Sequence, residues 1–251
     1  MVKELIKLIE KQQLQKNIFC LEFKSVNIAN TAKPGQFINI LVENFTLRRP
    51  FTIFEITNNK IKIGIKIKGC GTKKIATWNK GRLVNALGPL GNGFLAPKLT
   101  DRILIIGGGV GCFALLELAK HCNFCYSVLG FKTIDQIIAT TEFEKYGPVQ
   151  LCIENDKNYT YNLVTEPLEN LIKTHKINRI ACCGPTAMMK AVFKIAKKFE
   201  IFCEVCLEER MACGIGSCLG CQCLTKQNGK LCSKHVCCDG PVFNAKEVFF
   251  N

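Results

Sequence analysis

Arg102-Ile103-Leu104-Ile105-Ile106-Gly107-Gly108-Gly109-Val110-Gly111 is the stretch on which the architecture turns. An unbroken apolar run suits a strand buried on both faces, which is the condition of a parallel sheet. Glycines follow at once, and then a helical stretch from Phe113 to Lys120. Strand, glycine turn and helix in that order predict a nucleotide-binding α/β domain. Gly107, Gly108, Gly109 and Gly111 would let a dinucleotide phosphate approach the backbone. The match to G-x-G-x-x-G is incomplete, and no acidic residue ends the next strand, where Gly130-Phe131-Lys132 stands. A glycine-rich turn without nucleotide is the competing reading.

Downstream of that turn, apolar runs recur at residues 126–130, 149–153 and 179–183, with helical segments between or after them, including Thr186 to Phe199. Cys183-Gly184-Pro185 closes one run and opens a helix, at the kind of strand end where such sheets bind ligands. Upstream, the first ~95 residues read as short strands. Residues 61–68 alternate Ile and Lys almost perfectly, and Pro34-Gly35 and Asn58-Asn59 supply turns. Many short strands with such punctuation predict a small antiparallel barrel. The expected organisation is a barrel over 1–96, an α/β domain over 97–202 and a cysteine-dense segment over 203–251.

Cys213-Gly-Ile-Gly-Ser-Cys218-Leu-Gly-Cys221 has the C-x4-C-x2-C spacing of a plant-type [2Fe–2S] site, and further cysteines follow at Cys237 and Cys238. Four thiolates must converge on two irons from one tight loop, and glycines let its backbone aim N–H groups at sulfur. Zinc is the rival: Cys203-x2-Cys206 and Cys218-x2-Cys221 are two CxxC pairs, though that reading leaves Cys213 and the glycines without a role. Spacing alone leaves the choice between Cys237 and Cys238 open. Arg48-Arg49-Pro50-Phe51-Thr52-Ile53 offers a basic group for a pyrophosphate, an aromatic to flank an isoalloxazine and a hydroxyl for its polar edge. By itself that hexapeptide is weak evidence. Its place just ahead of an α/β domain strengthens it.

Composition narrows the class. Seventeen cysteines, an odd number in a 251-residue chain, argue against a closed disulfide scaffold and for a reducing, cytoplasmic setting. The longest apolar runs fall far short of a membrane span. The charge of +14 comes from lysines spread along the chain, without the aromatic pattern of a nucleic-acid-binding sheet. No nucleic acid and no membrane is expected as a partner.

Taken in order, RRPFTI, GPLGNGF, ILIIGGGVG, CCGPTAMMKAV, EERMACGIGSCLGCQC and CCDGPVF resemble the electron-transfer subunit of NAD-dependent (class 1B) dihydroorotate dehydrogenase, within the ferredoxin–NADP reductase superfamily. The resemblance spans essentially the whole chain. It implies an FAD-binding barrel, a NAD-binding α/β domain and a C-terminal [2Fe–2S] segment. It implies, too, a separate catalytic subunit that carries FMN, in a heterotetramer of two plus two. Two electrons would leave dihydroorotate at that FMN, cross the cluster singly and recombine on FAD before reaching NAD. Carried over by position, Arg49, Pro50, Phe51 and Thr52 match the FAD motif. Gly64, Ile65 and Lys66 fall on a second FAD strand, and Gly71-Thr72 on a diphosphate turn. Cys183, Gly184 and Pro185 lie toward the nicotinamide. The family's fourth cluster ligand stands two residues before the Asp of DGPVF, which selects Cys237 to join Cys213, Cys218 and Cys221.

The chain departs from the family after its glycines, where Cys112-Phe113-Ala114 replaces a residue followed by two prolines. A differently shaped nicotinamide edge is expected there. Related subunits of NAD(P)H–ferredoxin oxidoreductases tend to carry aspartate where Cys213 stands, so Cys213 favours the dihydroorotate branch. The alternatives are a ferredoxin- or sulfide-linked reductase and, from another class, a zinc-stapled basic interaction module.

Overall fold

Alternation builds the first half of the molecule. In the computed structural model, which describes residues 1–250, the strand Lys60–Lys66 buries Ile61, Ile63 and Ile65 and turns Lys60, Lys62 and Lys66 outward. That strand is β5. The others around it are β1 (Val2–Gln15), β2 (Ile18–Lys24), β3 (Phe37–Ile40), β4 (Arg49–Thr57) and β6 (Leu83–Leu90). They close into an antiparallel barrel in the order β1-β2-β5-β4-β3-β6, and β1 pairs back onto β6. Closure leaves no free edge. Helices α1 (Val26–Thr31) and α2 (Cys70–Ala76) interrupt the strands. The charged N-terminus proves to be the longest strand. Its signal is sparse, because within β1 only Ile6 and Leu8 are buried.

The second half is a six-stranded sheet in the order β14-β11-β10-β7-β8-β9. Five strands run parallel: β7 (Ile103–Gly108), β8 (Cys125–Phe131), β9 (Val149–Ile153), β10 (Arg179–Cys183) and β11 (Phe202–Cys206). β7 is buried along its whole length, as its unbroken apolar run requires. Helices α3 (Leu116–Lys120), α4 (Thr140–Glu144), α5 (Leu168–His175) and α6 (Thr186–Lys198) flank the sheet. β12 (Gln222–Gln227) and β13 (Lys230–His235) form a separate hairpin, and β14 (Val242–Asn244) then returns antiparallel to β11. The cysteine-dense segment is thus stitched into the sheet, and the sequence division at 202/203 falls inside β11.

That strand removes the zinc staple. Cys203 and Cys206 are three apart on β11, so their side chains face opposite sides of the sheet. Each joins a different hydrophobic core, and both are buried. They do not form a chelating pair.

Barrel and sheet are fixed to each other by polar clasps as well as apolar contact. From α3, the buried Glu117 accepts the Ile56 N–H at 2.7 Å, while Lys120 donates to the Ile56 carbonyl. At the linker, Arg179 grips the Leu95 and Ala96 carbonyls and pairs with Glu204 and Asp101.

Candidate functional site

The segment after Met211 leaves Ile215 and Leu219 exposed and turns backbone N–H groups toward sulfur. Five backbone N–H groups point at four thiols. Ile215 and Cys218 donate to Cys213 Sγ at 3.4 and 3.3 Å, and Gly216 donates to Cys237 Sγ at 3.1 Å. Gly220 donates to Cys218 Sγ at 3.5 Å, and Cys237 to Cys221 Sγ at 3.4 Å. Gly214 and Gly216 adopt φ of +73° and +84°, which glycine tolerates without strain. Burial acts against ionisation of Cys213, but the N–H groups of Ile215 and Cys218 outweigh it and hold the thiol down at about 7. Cys237 goes the other way: burial, with Cys221 alongside, pushes its thiol up to about 12. Donors converging on sulfur are what an electron-rich thiolate cluster requires.

Between Cys237 and Cys238 the geometry discriminates. Cys237 is buried and receives the Gly216 N–H, whereas Cys238 is exposed and its Sγ lies near the His235 carbonyl and the Asp239 carboxylate.

A cleft of about 250 Å³ opens between barrel and sheet. Arg49, Lys66 and Lys68 give its barrel side three cations, with Pro50, Thr52 and Thr72 beside them. The two adjacent arginines divide their work. Arg48 is consumed by the barrel, donating to the Asn39 and Asn85 carbonyls and to Asn85 Oδ1. Arg49 faces the cleft, its guanidinium against Gly71, where a Cβ would lie 2.6 Å from Nε. That fit suits a diphosphate beside α2. Thr72 serves its own turn, since its hydroxyl accepts the Lys68 and Gly69 N–H groups.

Two expected contacts differ. Phe51, expected to flank an isoalloxazine, borders the cleft but sends its ring into the barrel core with Ile38 and Ile53. Strand alternation accounts for this: Phe51 shares a face with Ile53, and Thr52 shares the other with Phe54. Ile65 likewise points into the barrel, leaving Lys66 as the side chain of that strand on the cleft.

The glycine turn is shaped largely by packing. A Cβ on Gly107 would meet Cys112, on Gly108 it would meet Met188 and Pro185, and on Gly111 it would lie 2.6 Å from the Cys183 carbonyl. Gly109, at φ +54°, is the one that opens onto free space. The expected helix from Phe113 is a 3-10 turn over Gly109–Ala114, followed by the five residues of α3. Cys183 ends β10 beside Cys206 of β11, and both border the cleft. Contact with Cys206, and then burial, raises the Cys183 thiol well above its ordinary range, so it stands there as a neutral group.

Phe113, where the chain departs from the family, is the keystone between the two halves. Its ring is buried, meets Phe54 edge-on at 4.8 Å and rests directly on Gly64. Gly64, expected on an FAD strand, is therefore needed as glycine for this contact. Gly64→Ala is expected to destabilise the protein by roughly 1–3 kcal/mol, as overpacking does. It should also slow flavin reduction by NADH, because the displaced ring has the cleft to move into. A melting curve and an anaerobic NADH titration check this, and unchanged values in both contradict it.

Comparison with known proteins agrees with this geometry. The family described as the iron-sulfur cluster binding domain of dihydroorotate dehydrogenase B matches residues 208–249. The dihydroorotate dehydrogenase B (NAD(+)) electron transfer subunit of Caldanaerobacter subterraneus subsp. tengcongensis is 40% identical over 220 residues, covering 86% of this chain and 87% of that protein. The subunit of the same name from a Geobacillus species is 33% identical over 259 residues, covering 99% of each. Among solved structures, a NADH-dependent reduced ferredoxin-NADP oxidoreductase, studied for flavin-based electron bifurcation, superposes with a TM-score of 0.87 at 27% identity. The match covers 98% of this chain and 90% of that one. A mutant ferredoxin-NADP+ reductase from Plasmodium falciparum shares the fold, with a TM-score of 0.64 at 17% identity over 81% of this chain and 95% of its own. With two relatives above 30% identity over most or all of its length, the chain belongs to the family of dihydroorotate dehydrogenase B electron transfer subunits.

Proposed function

We propose that this chain carries electrons between NAD(H) and the FMN of a separate catalytic subunit, by way of FAD and a [2Fe–2S] cluster, in the oxidation of dihydroorotate to orotate for pyrimidine biosynthesis. The observation that carries this reading is the loop in which five N–H groups converge on four cysteine sulfurs. Cys213, Cys218, Cys221 and Cys237 hold the cluster. When bound, the flavin would supply the conversion between the electron pair of one hydride and the single electrons a cluster can carry.

The chain's own residues bind, orient and shield. Arg49, Lys66 and Lys68 face the flavin diphosphate, with Gly71 giving Arg49 its room. Pro50 and Thr52 line the flavin side of the cleft. Gly109 and the Cys183-Gly184-Pro185 turn lie on the nicotinamide side, while Gly107, Gly108 and Gly111 keep that turn packed. The cleft is smaller than the ~300–1,000 Å³ of a typical ligand pocket, so it encloses only part of a dinucleotide. No side chain is assigned as acid or base toward dihydroorotate. Residues 1–96 form the FAD domain, 97–202 the NAD domain and 203–251 the cluster segment, which lends all but the first residue of β11, and β14, to the sheet.

Assembly with the catalytic subunit is two plus two. None of the described helices is long and apolar enough to cross a membrane. The seventeen free cysteines suit the reducing cytoplasm.

An anaerobic visible spectrum, with iron, sulfide and zinc analysis before and after NADH, tests the proposal. Flavin bands with two irons and two sulfides per chain, bleaching on NADH addition, are expected. A colourless zinc protein would overturn the reading. Flavin and cluster that ignore NADH would refute NAD use and point to Phe113.

A further inference from the structure

Asn39 is the one buried side-chain amide among the described residues. It sits on β3, paired with Pro50 of β4 and Leu87 of β6. Ile38 and Ile40 fill the barrel, so alternation turns Phe37 and Asn39 out of it. Phe37 enters the core that contains Cys221 and Cys237. A register shift against β6 falls between Phe37 and Asn39, a feature that re-aims a side chain.

What Asn39 is aimed at is the cluster loop. Its Nδ2 donates to the Cys213 carbonyl at 3.2 Å. Gly214 presents no Cβ there, and the amide takes the space one would occupy. Arg48 pins the position from behind by donating to the Asn39 carbonyl at 3.2 Å. The Oδ1 of the same amide is buried without a partner. An unpaired buried carbonyl is a cost that a leucine of similar size would avoid. The bond to Cys213 is what the amide gains in return.

Resting on the cluster reading above, we propose that Asn39 is a positioning residue for the iron–sulfur site. It ties the Cys213–Gly214 peptide to the strand beside the flavin-binding Pro50, and so fixes the first ligand sulfur relative to the flavin. It touches neither group in this role and acts through Cys213.

The test compares the holoprotein with Asn39→Leu and with Asn85→Ala. The second loosens the same barrel corner through Arg48 but leaves the Asn39 amide in place. Asn39→Leu should retain flavin, two irons and two sulfides, show displaced g-values in the EPR spectrum of the dithionite-reduced protein, and lose iron to a chelator about fivefold faster, the factor that one net hydrogen bond is worth. Asn85→Ala should match wild type in both. Wild-type g-values and iron loss in Asn39→Leu would overturn the inference, as would Asn85→Ala reproducing its changes. Should the leucine variant fail to fold, Asn39→Ser, too short to reach Cys213, decides the matter on the same two readouts. Wild-type protein without iron and sulfide would defeat the parent reading instead, whatever the variants do.

Discussion

Cys218→Ser is expected to cut NADH-linked orotate reduction by ~100-fold or more in the reconstituted complex, while flavin stays bound. Even residues that only support a metal ligand cost 10–100-fold when replaced, so on the proposed ligand set the loss of the Cys218 sulfur takes that range as a floor. Cys218 is the exposed member of the four, and its sulfur accepts the Gly220 N–H. Serine offers a harder oxygen on a shorter bond, a poorer partner for iron than a thiolate. Arg49, Lys66 and Lys68 lie on the barrel, away from the change, so the flavin is retained. Reduction of an artificial dye that takes electrons from the flavin should continue at the wild-type rate. Orotate reduction at the wild-type rate in this variant would mean that electrons do not pass through the cluster.

Much of the architecture is legible in the amino-acid sequence. β9 and β10 coincide with the apolar runs at 149–153 and 179–183, and β5 with the Ile/Lys alternation. Burial writes directly into sequence where a strand is covered on one or both faces. The cysteine loop is legible for a different reason: Cys213, Cys218 and Cys221 fall within nine residues, while Cys237 joins them only after the β12–β13 hairpin, so spacing could not choose it over Cys238. β11 is obscured, because two of its four buried positions are cysteine and a third is Glu204; cysteine reads as metal chemistry although it often serves as a small apolar filler. Asn39 leaves no signal at all. A lone polar residue in the run Phe37–Ile40 looks like a solvent-facing strand position, yet its partner is a loop 174 residues away. The glycine turn is visible as a turn, but its glycines read as phosphate contacts where most of them serve packing. The partners of Gly108 and Gly111 sit at the end of β10 and on α6, far along the chain.

The largest stability effect is expected at Arg179, which fastens the linker between the two halves. Its side chain is 6% exposed and pairs with Glu204, itself 4% exposed, at 2.6 Å, with Asp101 at 3.0 Å on its other side. Burial acts against the Asp101 carboxylate, but the Lys98 N–H and then Arg179 hold it ionised, below its ordinary range. Arg179→Met strands Glu204 in the sheet with the Leu95 N–H as its remaining donor. Breaking a buried pair from one side costs roughly 3–5 kcal/mol. In a chain of this size that is a fall in melting temperature of roughly 6–20 °C. Glu204→Leu should cost less, because Arg179 keeps Asp101 and the Leu95 and Ala96 carbonyls. The double variant should recover part of the arginine loss, since no buried carboxylate then lacks its cation. Thermal melts of the four proteins, followed by circular dichroism at one protein concentration, give the cycle. Equal losses in the two single variants, adding fully in the double, would show that Arg179 and Glu204 act independently. The buried pair would then not be what fastens the linker.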